Sequence, residues 1–251
     1  MARRLLEARA LHKRIRAIAV RDSRILNSVS AQDLEGALSG RQLSSAIRHG
    51  KRLFLQIDSG LWLALHLGLT GWPVFLVQGG AEPRHTRLRI DVQGGAALAF
   101  DDLRIFGEVG LTESPQAFLS QRGIGPDALL MDRESFLAAM SGRKGKIKPA
   151  LLDQGLIAGL GNLYADEALF QSGICPQARI LERERLEGLF CAIQKVLRTS
   201  LDCNADFDKL PHTFLLPHRH PGGACPWDGA ALERIKIAGR TSYYCPVHQN
   251  K

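Results

Sequence analysis

The chain has 251 residues, of which 45% are hydrophobic, and it carries a formal net charge of +8. This length and apolar content allow a substantial buried core and indicate two lobes. The positive charge favours a polyanionic partner, although basic proteins without a nucleic-acid partner are common. No apolar run reaches the roughly 18 residues that a membrane-spanning helix needs, and the basic N-terminus does not resemble a secretory signal. Five cysteines, an odd number, indicate buried thiols in a reducing cytoplasm.

The predicted elements begin with an amphipathic helix at 3–13, in which leucines alternate with basic residues. Short apolar runs separated by turn residues then predict the strands of a sandwich or barrel, with one helix at 31–38 among them. These runs lie at 17–20, 52–57, 61–67, 72–77, 86–92 and 97–100. The segment 114–148 is helical and basic, and another helix is predicted at 181–201. The last fifty residues are rich in Pro, His, Cys and Gly, which is typical of a small hairpin held by a metal.

The stretch 153–176, DQGLIAGLGNLYADEALFQSGICP, combines a tight turn with a helix. Gly159 and Gly161 mark a tight turn, and a helix is predicted at 163–172. Gly173 and Pro176 follow it, as is typical of a helix C-terminus. Asn162 stands at the expected N-cap, where its side chain can accept from the first free amides. These amides and the helix dipole favour an anion such as a DNA phosphate. From the glycines and the asparagine alone, an ordinary helix–turn–helix corner is an equal alternative.

The string LLDQGLIAGLGNLYADEALFQSGICP at 151–176 closely resembles the helix–two-turn–helix signature of the formamidopyrimidine-DNA glycosylase and endonuclease VIII (Fpg/Nei, MutM-like) family. The resemblance extends over almost the whole chain. It implies an α+β fold with an N-terminal β-sandwich and helix at 1–113, a helix–two-turn–helix lobe at 114–205, and a zinc-finger-like β-hairpin at 206–251. It also implies a monomeric, cytoplasmic, nucleoid-associated protein whose two lobes hold bent duplex DNA across a basic cleft.

Three loops of the N-terminal half match family motifs in the family's order. Gly50-Lys51 precedes a strand, His-Leu-Gly-Leu-Thr-Gly occupies 66–71, and Asp-Leu-Arg-Ile-Phe-Gly occupies 102–107. From local sequence alone, a purely structural turn is the favoured interpretation of each loop. The shared order favours a common role in recognising DNA.

By this resemblance, Lys51 lies near the damaged strand, while Leu69, Arg104 and Phe106 fill the gap that a flipped nucleotide leaves. An apolar wedge beside an arginine lowers the cost of extruding a base. Leu69 replaces the family's usual methionine, which is a tolerable apolar exchange. Ile105 replaces an arginine, so we expect one phosphate contact fewer and a slightly weaker salt dependence.

The resemblance also predicts functional residues in the second half of the chain. Glu167 matches a family carboxylate near the active site, although a solvent-facing helix position is the alternative. Arg240 is expected to reach the phosphates around the lesion. The DNA-binding set predicted here comprises Lys148, Asn162, Tyr164, Lys236 and Arg240.

The C-terminal hairpin keeps the family's metal-site spacing but not its four cysteines. Cys225-Pro-Trp-Asp228 and Cys245-Pro-Val-His248 are the two pairs. Because zinc accepts Cys, His and Asp ligands, these four residues predict a tetrahedral Zn²⁺ site. The alternatives are a histidine at 218 or 220 in place of Asp228, and a metal-free hairpin held by packing.

The family reaction needs an N-terminal amine, because a proline after the initiator Met attacks C1′ of the damaged nucleoside and forms a Schiff base. The family opening Pro-Glu-Leu-Pro-Glu-Val-Glu does not appear in this sequence. Ala2 would lie most of a helix away from the expected nucleophile. We expect either a misassigned or trimmed start, or a protein that has lost its chemistry; Lys51 is a further candidate nucleophile.

The expected activity is excision of an oxidised base, followed by strand cleavage through β/δ elimination. A catalytically inactive damaged-DNA-binding protein is the main alternative, and an RNA- or ribosome-associated basic protein is a third. The segment 202–216 is shorter than the family loop that encloses an oxidised purine. Oxidised purines, oxidised pyrimidines and abasic sites therefore all remain open as substrates.

Overall fold

A computed structural model describes residues 2–179 and 182–249. The chain divides into two compact units, one ending at Gly123 and the other beginning at Ile124. Each unit has a hydrophobic core of its own. No helix of the described residues is long and apolar enough to cross a membrane.

The first unit is a β-sandwich of two four-stranded antiparallel sheets. Its strands are β1 Ile15–Val20, β2 Leu43–His49, β3 Arg52–Ile57, β4 Trp62–His66, β5 Trp72–Leu76, β6 Thr86–Val92, β7 Ala97–Asp101 and β8 Glu108–Thr112. One sheet has the order β1-β6-β7-β5 and the other β2-β3-β4-β8. Alternate residues of β6 are buried, as expected for a strand with one face against a core. Leucine, isoleucine and valine side chains from both sheets meet in a single buried cluster.

Three helices accompany the sandwich: α1 Ala2–Arg9, α2 Ala31–Leu38 and α3 Pro115–Gln121. Ser30 and Asp33 form a reciprocal capping box that fixes the start of α2. The buried Leu34 and Leu38 pack this helix onto the core of the sandwich. Because α3 lies before Gly123, it belongs to the first compact unit.

The described part of the second unit contains four α-helices, a hairpin and two short 3-10 helices, Phe207–Lys209 and Leu216–His218. The elements are α4 Arg133–Met140, α5 Ile147–Leu152, α6 Asn162–Gln171, α7 Arg183–Asp202, β9 Glu233–Ile237 and β10 Arg240–Tyr244. Ala238 and Gly239 join the two strands with φ of 48° and 75°. Two successive positive φ angles make a type I′ turn, whose twist matches that of the strands. Every residue of α6 from Ala165 to Phe170 is buried, so this helix is the centre of the unit.

The α+β architecture, the sandwich, the helical segment and the hairpin are confirmed. Two strands, β2 and β8, were not predicted. The sequence LSSAIRH of β2 lacks a continuous apolar pattern, and β8 contains Gly110, which approaches the Asn27 carbonyl. The first helix ends at Arg9 rather than at residue 13. The predicted helix at 181–201 is observed as α7, and Leu181 lies outside the described residues.

Candidate nucleic-acid interface and metal centre

The three loops predicted to recognise DNA lie together at one end of the sandwich. Lys51 is in the tight turn between β2 and β3, and its carbonyl accepts a hydrogen bond of 3.1 Å from the Leu67 amide. His66, the last residue of β4, pairs with Arg52 on one side and with Glu108 on the other. Antiparallel pairing of β3, β4 and β8 therefore brings the turn and both longer loops to the same edge.

The loops 67–71 and 102–107, called here the paired loops, pack backbone against backbone. A Cβ added to Gly68 would lie 2.6 Å from the carbonyl carbon and oxygen of Phe106, so only glycine fits there. Asp102 is fully buried and accepts hydrogen bonds from the Gly107 amide at 2.7 Å and the Arg104 amide at 3.3 Å. It also accepts from the hydroxyl of Thr70 in the other loop. The carboxylate thus joins the two loops.

The paired loops expose two large apolar side chains. Leu69 is 66% exposed and Phe106 is 50% exposed. The Arg104 guanidinium lies over the Phe106 ring at 4.8 Å from its centroid, a cation–π arrangement. An exposed aromatic ring carrying an arginine can stack on a base and contact a phosphate, which is the chemistry predicted for Leu69, Arg104 and Phe106.

His66 makes a hydrogen bond to the backbone of the first of the paired loops. Its Nδ1 accepts a hydrogen bond of 3.1 Å from the Gly68 amide, which requires a neutral imidazole with its proton on Nε2. Burial lowers the pKa of His66, and the nearby positive charge of Arg52 lowers it further. For Asp102, burial alone would raise the pKa, but hydrogen bonds from Thr70 and Gly107 outweigh it and leave the pKa lowered. At neutral pH the imidazole is therefore uncharged and the carboxylate is ionised.

The start of α6 differs from the prediction in one respect. The N-cap is Gly161, without a side-chain capping bond among the described residues, and Asn162 is the first helical residue. The predicted capping role of Asn162 is therefore wrong, because a residue with helical backbone angles directs its side chain away from its own first amides. Its Nδ2 instead donates to the Thr241 carbonyl at 2.8 Å. Within the described chain, its buried Oδ1 has no hydrogen-bond partner.

Lys148 does not lie on a surface that DNA can reach, contrary to the prediction. It is fully buried, and its ammonium group donates to Asp166 and to the Ser242 hydroxyl. Lys148 is buried because α5 places its side chain against α6, which carries Asp166, and β10, which carries Ser242. Burial lowers the pKa of Lys148, and the charge of Asp166 opposes that shift.

Arg219 completes this buried charge cluster, although no motif in the sequence pointed to it. Its guanidinium binds Asp166 through Nε at 3.0 Å and Nη2 at 2.8 Å, and Nη2 also donates to the Thr241 carbonyl at 2.8 Å. The same carbonyl accepts from Asn162, so two donors hold β10 next to the first turn of α6. The cluster contains two cations and one carboxylate, which leaves an excess positive charge near this helix start.

Glu167 is fully buried, so the solvent-facing alternative is wrong. Its carboxylate accepts from the amides of Leu215 at 3.1 Å and Leu216 at 2.8 Å, and from Gln171 at 2.9 Å. Burial raises the pKa of Glu167 despite these hydrogen bonds. The carboxylate anchors the segment around residue 215, and this position does not support the predicted catalytic role.

The remaining predicted DNA contacts differ in accessibility. Tyr164 is half-buried and packs against the buried cluster that contains Val196 and Phe214. Lys236 and Arg240 are exposed on β9 and β10 beside the hairpin turn. Arg240 immediately precedes Thr241, so the bonds from Asn162 and Arg219 also fix the backbone that carries the Arg240 side chain.

The predicted metal ligands come together. One ligand atom each from Cys225, Asp228, Cys245 and His248 lies within 4.8 Å of all the others. His248 Nδ1 is 3.5 Å from Asp228 Oδ2 and 3.6 Å from Cys225 Sγ, while Asp228 Oδ2 is 3.2 Å from Cys245 Sγ. Two thiols, an imidazole and a carboxylate at these separations form a set that suits a tetrahedral ion.

The groups around this cluster orient its ligands. His248 Nε2 lies 3.3 Å from the Phe170 carbonyl, and a proton on Nε2 would leave the Nδ1 lone pair facing the cluster. The indole of Trp227 stacks on the imidazole at 4.7 Å. A hydrogen bond from the Ala230 amide is the main cause that lowers the pKa of Asp228 to about 2. The alternative ligands at 218 and 220 are not members of the cluster.

The comparisons with known proteins agree with this geometry. Residues 1–109 match the formamidopyrimidine-DNA glycosylase N-terminal domain, and residues 123–209 match the formamidopyrimidine-DNA glycosylase H2TH domain. The formamidopyrimidine-DNA glycosylase of Geobacter metallireducens is 34% identical over 261 residues, which cover 98% of this chain and 96% of that protein. That of Pelotomaculum thermopropionicum is 31% identical, with coverage of 98% and 95%.

Solved structures show the same relationship. Lactococcus lactis Fpg in complex with DNA containing an abasic site has a TM-score of 0.88 and 28% identity, covering 100% of this chain and 97% of that chain. MutM in complex with DNA containing carbocyclic 8-oxo-G gives the same values. The fold and the helix–two-turn–helix segment thus define a protein of the DNA-glycosylase class. The chain belongs to the formamidopyrimidine-DNA glycosylase family.

Proposed function

We propose that this protein acts in base-excision repair, removing an oxidised base from duplex DNA and cleaving the strand at the resulting abasic site. The observation that carries the proposal is the pair of exposed apolar side chains, Leu69 and Phe106, on closely packed loops beside Arg104. The relatives named above are formamidopyrimidine-DNA glycosylases, which supports the same reaction here.

In this proposal the paired loops stabilise DNA from which the damaged nucleotide has been extruded. Phe106 and Leu69 enter the vacated space, where their apolar surface replaces base stacking. Arg104 supplies positive charge toward the neighbouring phosphates or the unpaired base. The energy recovered by these contacts offsets the cost of unstacking, so they favour a lesion whose pairing is already weak.

The chemical step requires an amine near C1′ of the extruded nucleoside. The amine nitrogen forms a bond to C1′ and gives up a proton, while the damaged base departs with the electrons of the glycosidic bond and takes up a proton. The C1′–O4′ bond then breaks, O4′ is protonated from solvent, and a Schiff base results. β-Elimination then expels the 3′ phosphate, and δ-elimination expels the 5′ phosphate. The N-terminal amine supplies this nitrogen in the family, and Lys51, in the turn beside the paired loops, is a further candidate for it.

The second unit would bind the phosphate backbone. The first turn of α6 presents the positive end of its dipole, and Asn162 at that turn is tied to the residue after Arg240. The exposed Lys236 and Arg240 add charge on the hairpin. Lys148 is excluded from this set because of its burial, and its role is to fix α5, α6 and β10 together.

We propose Zn²⁺ as the ion of the C-terminal cluster. Cys225, Asp228, Cys245 and His248 would hold it, and the ion would staple the two ends of the hairpin segment without joining the reaction. Elemental analysis of the purified protein tests this, with about one zinc per chain expected. Cys245→Ser should lose the metal, whereas Cys191→Ser, which changes an exposed thiol of α7, should retain it. A wild-type protein without zinc would refute the site.

Borohydride trapping on duplex DNA with an abasic site tests the enzymatic function. A covalent adduct is expected, and peptide mapping identifies the amine. Lys51→Arg removes the candidate primary amine while keeping its charge, and Lys195→Arg, at an exposed position of α7, is the matched control. An adduct unchanged in Lys51→Arg would exclude Lys51 as the nucleophile. Tight lesion binding without any adduct would identify the chain as a damage-binding protein.

A binding assay separates DNA repair from an RNA-associated role. Affinity for duplex containing an abasic analogue should exceed affinity for intact duplex and for RNA at the same salt concentration. Phe106→Ala should weaken lesion binding more than intact-duplex binding, because the wedge acts only where a base is missing. Equal affinity for all three nucleic acids would refute lesion recognition.

A further inference from the structure

The paired loops hold an unfavourable backbone conformation. Ile105, between Arg104 and Phe106, has a φ of 57°. A β-branched residue rarely adopts a positive φ, because its branched side chain crowds the backbone. Such a conformation persists only where surrounding contacts impose it. The relevant contacts lie within the paired loops themselves.

Thr70 and Asp102 supply those contacts. The Thr70 hydroxyl donates to Asp102 Oδ1 and accepts from the Arg104 amide at 3.1 Å. Asp102 Oδ2 accepts from the Gly107 amide at 2.7 Å. The two amides bracket Ile105 and Phe106, so the bonds define both ends of the strained segment. One hydroxyl and one buried carboxylate thus connect the loop that carries Leu69 with the loop that carries Phe106.

A loop held in its binding conformation loses little entropy when it meets its ligand. In this case the ligand is the gap in a duplex from which a base has been extruded, and two side chains must enter it together. If either loop moved independently, Leu69 and Phe106 would have to be ordered during binding. The bonds between Thr70, Asp102 and the two amides remove that requirement.

We propose that Thr70 and Asp102 are positioning residues that preform the wedge of Leu69 and Phe106 and thereby set the preference for lesion-containing DNA. This inference rests on the proposed function of the same site. Neither side chain needs to touch DNA in order to act. Their contribution appears only with DNA that admits the wedge, so it is absent with an intact, fully stacked duplex.

Thr70→Val tests the inference, because it replaces the hydroxyl by a methyl group of similar size. Affinity for an abasic duplex should fall about fivefold, as expected for the loss of the Thr70–Asp102 bond while the Arg104 amide still donates to Asp102 at 3.3 Å. Affinity for an intact duplex should stay the same. Thr112→Val is the matched control, since its hydroxyl donates to the Ser114 carbonyl at 3.1 Å, outside the paired loops. This control should leave both affinities unchanged.

Two further variants distinguish positioning from general damage to the fold. Thr70→Ser keeps the hydroxyl and should restore the preference for the abasic duplex. In a Phe106→Ala background, Thr70→Val should have almost no further effect, because the side chain that it positions is gone. Thermal unfolding of Thr70→Val should match that of wild type within a few degrees, since the loss of one hydrogen bond shifts the unfolding temperature of a chain of this size by only about 2–4 °C.

The outcomes separate this inference from the function on which it rests. A Thr70→Val protein that discriminates lesions as well as wild type, or effects of Thr70→Val and Phe106→Ala that simply add, would overturn the positioning role alone. A wild-type protein that binds abasic and intact duplexes equally would overturn the proposed function and this inference with it.

Discussion

The buried charge cluster of the second unit gives the sharpest prediction on stability. The Asp166 carboxylate bonds both Lys148, which is 0% exposed, and Arg219, whose side chain is 12% exposed. Asp166→Asn keeps the shape of the side chain but removes the negative charge. Two cations would then remain without a carboxylate between them, and one of them, Lys148, is fully buried. Breaking a buried pair in this way costs about 3–5 kcal/mol.

Removal of Arg219 should cost less, although it deletes more atoms. In Arg219→Met, Asp166 still accepts from Lys148 and lies 3.4 Å from the Tyr243 amide, so no buried charge is left alone. The loss is that of hydrogen bonds to charged groups, about 2–3 kcal/mol in total. The predicted order of destabilisation is therefore Asp166→Asn first and Arg219→Met second.

Urea unfolding with linear extrapolation measures both variants, and Asp202→Asn, at an exposed position near the end of α7, is the control. The control should stay within about 0.5 kcal/mol of wild type. A cost below about 1 kcal/mol for Asp166→Asn, or a larger cost for Arg219→Met, would refute the view that the uncompensated cations dominate.

Three further predictions concern pH and binding. The lowered pKa of His66 means that the unfolded state takes up a proton first, so stability should decline as pH falls below 6.5, and thermal unfolding of His66→Gln should lack that decline. The raised pKa of Glu167 acts in the opposite sense: stability should fall as pH rises from 4.5 toward the raised value, and Glu167→Gln should flatten this slope in the same assay. Asn162→Ala should weaken abasic-duplex binding about tenfold without changing its salt dependence, whereas Arg240→Ala should reduce the salt slope by about one. Unchanged affinity in Asn162→Ala would remove that residue from the proposed DNA contacts.

The sequence predicted the architecture because it depends on local patterns. For the same reason it predicted which four residues come together in the candidate metal site. Alternating apolar residues define β6, and the spacing of the four ligands places Cys225 and Asp228 on one side of the hairpin and Cys245 and His248 on the other. A resemblance also identified the loops of Leu69 and Phe106, since their motifs are short and continuous.

Burial of charged residues was not predictable in the same way. Lys148 follows three other basic residues within 143–148, and nothing in that run distinguishes the one that turns inward. Its burial depends on Asp166 and Arg219, which are distant in sequence and meet it only in the folded unit. Likewise, Asn162 could be placed at the helix start from sequence, but its bond to Thr241 depends on how β10 packs.

The burial of Lys148 makes it a natural reporter of local opening. Lys144 and Lys146 are exposed, whereas Lys148, on the same short stretch of chain, is buried. An amine-acylating reagent should therefore modify the first two at once and the third only when the segment transiently opens. The ratio of these labelling rates, read by mass spectrometry of a single peptide, would give the free energy of that opening under native conditions. Lys148 thus serves as the probe of opening, and Lys144 and Lys146 serve as its internal standard.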